Sequence, residues 1–251
     1  MYEIKTHNQN MESKTISINK TLEEIRRYTK DNEDLKQCHH FLFNAIYKRR
    51  ERENQNRLNI KADVIVVSIN PAETKKDWEH YNKETPAENS NEKDFHTKII
   101  HENISASAKR WERKTKIFCE DLFGENINET AFFFWSSENI GKKFTETFGY
   151  KWKSKQCCKH FDFCKERNIE LIQYHEPKIV IAPGIGDSKY FSNMYEMKHI
   201  DTIIDNDKGD RLIEHFEIQD TPFIFTKHWT SAFGFSKRQQ EIITDYLSHF
   251  A

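Results

Sequence analysis

No apolar run in this chain approaches the ~20 residues that a membrane span requires, and residues 1–20 carry no apolar h-region of the kind that marks a secretory leader. A cytoplasmic protein with no membrane partner is the expectation. The five cysteines include no Cys-x-x-Cys pair; Cys157, Cys158 and Cys164 cluster without the spacing of a zinc or iron–sulfur site. Reduced, partly buried thiols and no metal are expected. Gly184-Ile185-Gly186-Asp187-Ser188 lacks the Gly-Lys-Ser/Thr ending of a nucleoside-triphosphate loop and suits a tight strand-to-helix turn. Nor does either sign of charge dominate: 39 basic residues meet 40 acidic ones, so any nucleic-acid contact must rest on local cations. There is no internal repeat and no linker. A polar tail over residues 1–18 followed by one domain over 19–251 is the expected organisation, with ample length for a core.

What is there alternates between strands and helices. Apolar runs at Val64 to Ser68, Ala131 to Trp135, Lys178 to Ala182 and Phe223 to Thr226 read as four strands. Between them, helical patterns cover Thr21 to Lys30, Leu35 to Arg52, Ile104 to Phe123, Phe161 to Tyr174 and Asp187 to Met194. A last helix opens at Ser236, where Gln239 completes a capping-box pattern. Ile200 to Ile204 and Leu212 to Ile218 suggest a small hairpin or an edge strand, and Thr74 to Asp94 a long loop. Such alternation predicts an α/β domain, three layers α/β/α around a central four-stranded, mainly parallel sheet. Two strands run into polar clusters, Ile69-Asn70-Pro71-Ala72-Glu73 and Lys227-His228-Trp229-Thr230-Ser231. Polar groups just past the carboxyl ends of parallel strands are where open α/β sheets build their sites. Lys48-Arg49-Arg50-Glu51-Arg52 ends one helix with strong positive charge, which serves either the helix dipole or a phosphate.

Three motifs in this order resemble the uracil-DNA glycosylase superfamily over roughly residues 60 to 250. Ser68-Ile69-Asn70-Pro71 stands where that family has Gly-x-Asp/Asn-Pro. The helix from Cys164 to Pro177 leads into the run Lys178 to Gly184, and His228-Trp229-Thr230 stands where the family often has His-Pro-Ser. The resemblance implies a glycosylase-like fold and a monofunctional DNA base glycosylase that needs no cofactor. DNA would be its partner, double- or single-stranded, with no obligate protein partner. It implies that Asn70 orients the attacking water and His228 donates to the departing base. Ile69, Pro71, Trp135, Ser136 and Phe95 would contact the base. Lys227, Thr230, Ser231, Phe233, Lys237 and Arg238 would contact DNA, with Phe233 as the wedge that fills the flipped-out hole. Trp78 and Tyr81 are further stacking candidates, and Phe235 is either near that wedge or a hydrophobic staple for the last helix. Glu73 either supplies a carboxylate or caps the segment after Asn70.

The departures carry information. Ser68 replaces the motif's Gly, and Trp135-Ser136-Ser137 stands where uracil-specific members place an Asn that reads the uracil edge. A modified or non-uracil base, removed in repair or from invading phage DNA, is the resulting expectation. Two rivals follow from the same residues: a DNA-binding or inhibitory module that has lost catalysis, and a small-molecule enzyme acting on free nucleosides.

Overall fold

A computed structural model describes residues 18–36, 38, 40–41, 61–70, 92–93, 106–124, 126–137, 139–229 and 235–251. Helix α1 (Ile18–Asp31) precedes strand β1 (Val64–Ser68), whose four leading residues are β-branched and fully buried. Alternate side chains of β1 enter different cores, Ile65 and Val67 on one face and Val64 and Val66 on the other. A strand buried on both faces needs helices on both. Helix α2 (Ala106–Thr115) continues through a π-helical turn, Lys116–Glu120, and a last turn, Asp121–Phe123, and covers the Val64 face. After β2 (Ile127–Ala131), helices α3 (Lys142–Phe148) and α4 (Lys155–His175) join α1 on the Ile65 face. Strand β3 (Ile179–Pro183) and helix α5 (Ser188–Met194) follow, the latter also on the Ile65 face. Strands β4 (Lys198–Asp205), β5 (Asp210–Ile218) and β6 (Thr221–Thr226) lead to α6 (Lys237–Ser248), which packs on the Val64 face behind the expected Ser236/Gln239 capping box.

The sheet has six strands in the order β2-β1-β3-β6-β5-β4, not the four expected. The first four are parallel, and β5 and β4 continue the sheet antiparallel. The reason is the β5–β6 connection. Gln219 (φ 48) and Asp220 (φ 63) both take left-handed conformations between the paired Ile218 and Thr221, so β5 folds straight back onto β6. Two-residue turns of this type usually announce themselves as Asn-Gly or Asp-Gly, and Gln-Asp does not. Among the described residues no helix is long and apolar enough to cross a membrane.

Two further expectations shift. Leu35 and Lys36 lie in a turn, and His40–Phe41 pairs with Glu92–Lys93 in a short parallel ladder, so the helix expected from Leu35 does not begin there. Residues 42–52 and most of the 74–94 segment lie outside the described residues. The second strand is Ile127–Ala131 rather than Ala131 to Trp135. Its polar letters hid it, because Asn128 and Thr130 are buried and bonded to α4. Thr130 Oγ1 donates to Asn168 Oδ1 at 2.9 Å, and Asn168 Nδ2 donates to the Ala131 carbonyl at 2.9 Å. The apolar run Phe132 to Trp135 lies beyond the ladder and fills the core.

His175, at the end of α4, belongs to the same polar layer. The Ala62 N–H donates to its Nδ1 at 3.0 Å, so a neutral ring must carry its proton on Nε2. Asn128 Nδ2 lies 3.2 Å from that Nε2; a half-turn of the amide would let the Nε2–H donate to the Asn128 oxygen instead. Burial, with Lys61 adding to it, pushes the His175 pKa from 6.5 down to about 4. An unfolded His175 takes up its proton near pH 6.5, whereas the folded one resists until about pH 4, so acid favours unfolding. Its contribution to stability is intact above pH 6.5 and falls by about 3 kcal/mol between there and pH 4. Urea midpoints measured across this window should move less in His175→Gln than in the parent chain.

Candidate active site

Strand order locates the crevice. The chain leaves β1 for β2 on one side and later returns to β3 on the other, so the carboxyl ends of β1 and β3 flank the point where the winding reverses. Ile69 and Asn70 leave β1 at this point, and Gly184 leaves β3. Gly184 has φ +151, and a Cβ there would stand 3.1 Å from Ile69 Cδ1. Glycine is what lets these two turns approach. The Gly184 N–H donates to the Thr226 carbonyl at 2.8 Å, which brings the end of β6, and with it Lys227 and His228, alongside. Two strand spacings, about 10 Å, separate the ends of β1 and β6.

Asn70 is buried, and its Nδ2 donates to Ser137 Oγ at 2.9 Å. Ser137 passes its one hydroxyl proton to the Asn139 carbonyl at 2.9 Å. The serine oxygen can therefore only accept from Asn70, which fixes the amide with nitrogen toward Ser137 and oxygen away from it. Asn70 Oδ1 makes no hydrogen bond among the described residues and is not sealed inside. A held amide oxygen at a strand end can order a water molecule but cannot take its proton.

The turns after β1 and β2 are themselves joined. Phe132 and Phe133 donate their N–H groups to the Ser68 and Ile69 carbonyls at 2.8 and 3.1 Å. Ser136 and Ser137 follow, both buried. Trp135 is taken up by the core instead of facing the crevice: it is fully buried, and its Nε1 donates to Thr29 Oγ1 on α1 at 3.0 Å. The expectation of a base contact from Trp135 is corrected on that ground. The side chain of Ile69 meets Gly184, so its service is packing between the two turns.

His228 presents an exposed side chain at the end of β6. Enough protein still crowds its imidazole that desolvation lowers its pKa from 6.5, with Asp187 pulling the other way. The neutral form is thus favoured near neutral pH. Trp229, next in the chain, is buried and donates to Thr226 Oγ1 at 3.0 Å, which anchors the segment beneath His228.

The cations expected to hold phosphates are already engaged. Lys227 Nζ lies 3.0 Å from Asp210 Oδ2, Arg238 pairs with Asp207, and Lys237 lies 3.6 Å from Glu241. Gln239 Nε2 donates to Asp205 at 2.9 Å, so the turn between β4 and β5 is tied to the start of α6. Lys114, on α2, lies inside: it packs over the rings of Phe118 and Phe235 and donates to Gln240. Desolvation lowers its pKa. Phe235 stacks edge-on against Phe118, 5.9 Å between centroids, which makes it a packing residue for the last helix.

Pro71, Glu73, Trp78, Tyr81, Phe95, Thr230, Ser231 and Phe233 lie outside the described residues. Among the described residues the five cysteines are free thiols, and no three His, Cys, Asp or Glu side chains gather as a metal site would need. Ser137 was missed by sequence reasoning as a functional residue; two serines after a strand carry no signal until the fold sets one against Asn70. No family model matches the chain, and no curated protein matches it.

Proposed function

We propose that this protein is a DNA base glycosylase of the uracil-DNA glycosylase kind, hydrolysing the N-glycosidic bond of a flipped-out base. The fixed outward oxygen of Asn70 at the winding-reversal crevice carries the reading. Cleavage of a base–sugar bond passes through an oxocarbenium-like sugar and a base that gathers negative charge. Asn70 Oδ1 would hold the water that attacks the sugar. Neutral His228, across the crevice, would donate to the base as charge builds there. Since Asn70 cannot accept the water's proton, the reaction depends on a leaving base that departs readily.

The base is a modified or non-uracil one in this reading. Trp135 is spent on the core, the Ser137 hydroxyl on Asn70 and the Asn139 carbonyl, and the Asn139 side-chain oxygen on the Gly141 N–H at 2.9 Å, so the segment after β2 offers no free amide oxygen to pair with the uracil edge. Excision of altered bases in repair, or of modified bases from phage DNA, fits such a site. The decisive assay incubates the chain with DNA carrying uracil, mismatched thymine or natural modified cytosines and reads freed base by mass spectrometry. Release abolished in His228→Ala supports the reading; no release from any of these substrates removes it.

The engaged cations favour a second reading, hydrolysis of free nucleosides, which asks for no phosphate contacts. The two readings part on DNA affinity. If DNA is the substrate, Asp207→Asn with Asp210→Asn should free Arg238 and Lys227, tighten binding to duplex DNA and steepen its salt dependence by about one to two ions released. Unchanged affinity at all salt concentrations would favour the nucleoside enzyme.

A further inference from the structure

Trp111, Lys114 and Phe118, on α2 and the turn that continues it, are spaced to share one helix face. The rings of Trp111 and Trp229 are 4.9 Å apart, and Phe118 meets both Trp229 at 5.8 Å and Phe235 at 5.9 Å. Trp229 follows His228, and Phe235 precedes the Ser236 that caps α6. Lys114 therefore stands among the rings that hold both ends of the connection from β6 to α6. It is 4% exposed, and its amine packs over Phe118 and Phe235 while donating to Gln240 in the first turn of α6. Lys227, Lys237 and Arg238 each face a carboxylate. Among the described residues Lys114 faces none, and its polar partner is a neutral amide. It also sits at the positive end of the α6 dipole, which repels a cation. Desolvation, with Arg113 adding to it, lowers its pKa, so at neutral pH the folded chain bears a cost for charge here.

The start of α6 has donors to spare. The Ser236 N–H donates to Gln239 Oε1 at 3.4 Å, the Gln239 N–H to Ser236 Oγ at 3.1 Å, and the Gln240 N–H to the Ser236 carbonyl at 3.0 Å. Among the described residues nothing accepts from the N–H groups of Lys237 and Arg238. A shielded ammonium without a counter-ion and two free amides on the same helical turn are complementary to one thing, an anion. We propose that Lys114, with the Lys237 and Arg238 N–H groups, forms a phosphate site at the start of α6. The phosphate supplies the negative charge that Lys114 lacks and accepts from both amides. That it belongs to DNA, beside the flipped nucleotide, rests on the glycosylase reading; a nucleoside monophosphate carries the same group.

The test is a titration of the full chain with inorganic phosphate at fixed ionic strength, read by NMR on the backbone amides of Lys237 and Arg238. Both signals should shift and saturate. Lys114→Met should weaken binding about tenfold or more, and should raise the urea midpoint in phosphate-free buffer because the desolvated charge is gone. Lys114→Gln, polar but uncharged, should lose phosphate in the same way, which separates charge from packing. A lysine that merely packs predicts the opposite: a lower midpoint and the same phosphate affinity. No saturable shift in the parent chain, or equal affinity in the two variants, overturns the proposal. The source of the phosphate is read separately. If it is DNA, Lys114→Met should bind duplex with about one ion fewer released in the salt dependence. An unchanged salt dependence beside lost phosphate binding would uphold the site, give it to a nucleoside monophosphate titrated in the same way, and count against the DNA glycosylase.

Discussion

Asn70→Ala is expected to reduce base release about a hundredfold with little change in substrate affinity, because a water that must be placed to within an ångström loses its holder. Ser137→Ala should reproduce part of this loss. With its serine gone, the Asn70 amide is free to turn its nitrogen outward, and an N–H cannot accept from the attacking water. Both losses would appear in the single-turnover rate constant, alongside a fall in stability of about 1–3 kcal/mol for the buried hydrogen bond removed. Asn70→Asp works in the other direction, since a carboxylate at this place can accept the proton as well as orient the water. It is expected to retain or exceed the parent rate, at a rising pH. Undiminished release from Asn70→Ala would sink the assignment of this residue.

Trp135→Ala is expected to cost about 3–5 kcal/mol of stability, the range for emptying a fully buried large aromatic site. The indole is enclosed by Tyr28, Phe133, Phe163 and His160, and its loss also deprives Thr29 Oγ1 of a donor. Trp135→Phe keeps most of the packing and should cost about 1–2 kcal/mol for the lost hydrogen bond and imperfect fit. Denaturant midpoints measure both. The same phenylalanine variant should leave the range of released bases unchanged. An altered range in a stable Trp135→Phe protein would mean that this ring reads the base after all.

The contrast between these two residues explains how far the sequence alone could reach. Strand β1 was legible because four consecutive β-branched residues admit few alternatives, and the start of α6 because Ser236 and Gln239 form a local, reciprocal cap. Asn70 and His228 were legible as positions, each following such a strand. Strand β2 was not, since its polar Asn128 and Thr130 are made acceptable only by His175 and Asn168 on a helix some forty residues away in sequence. The fate of Trp135 was open for the same reason: a tryptophan at a strand end faces a crevice or a core according to what packs on it, and α1 supplies that partner.

Sequence by itself thus determined the α/β alternation, three of the four parallel strands and the polar residues that follow two of them, because propensity, periodicity and capping act within a few residues. Tertiary structure alone decided the six-strand sheet, the orientation of the Asn70 amide through Ser137, and the carboxylate partners of Lys227 and Arg238. Each of those depends on one polar atom finding another across the fold, and no local pattern of letters encodes that distance.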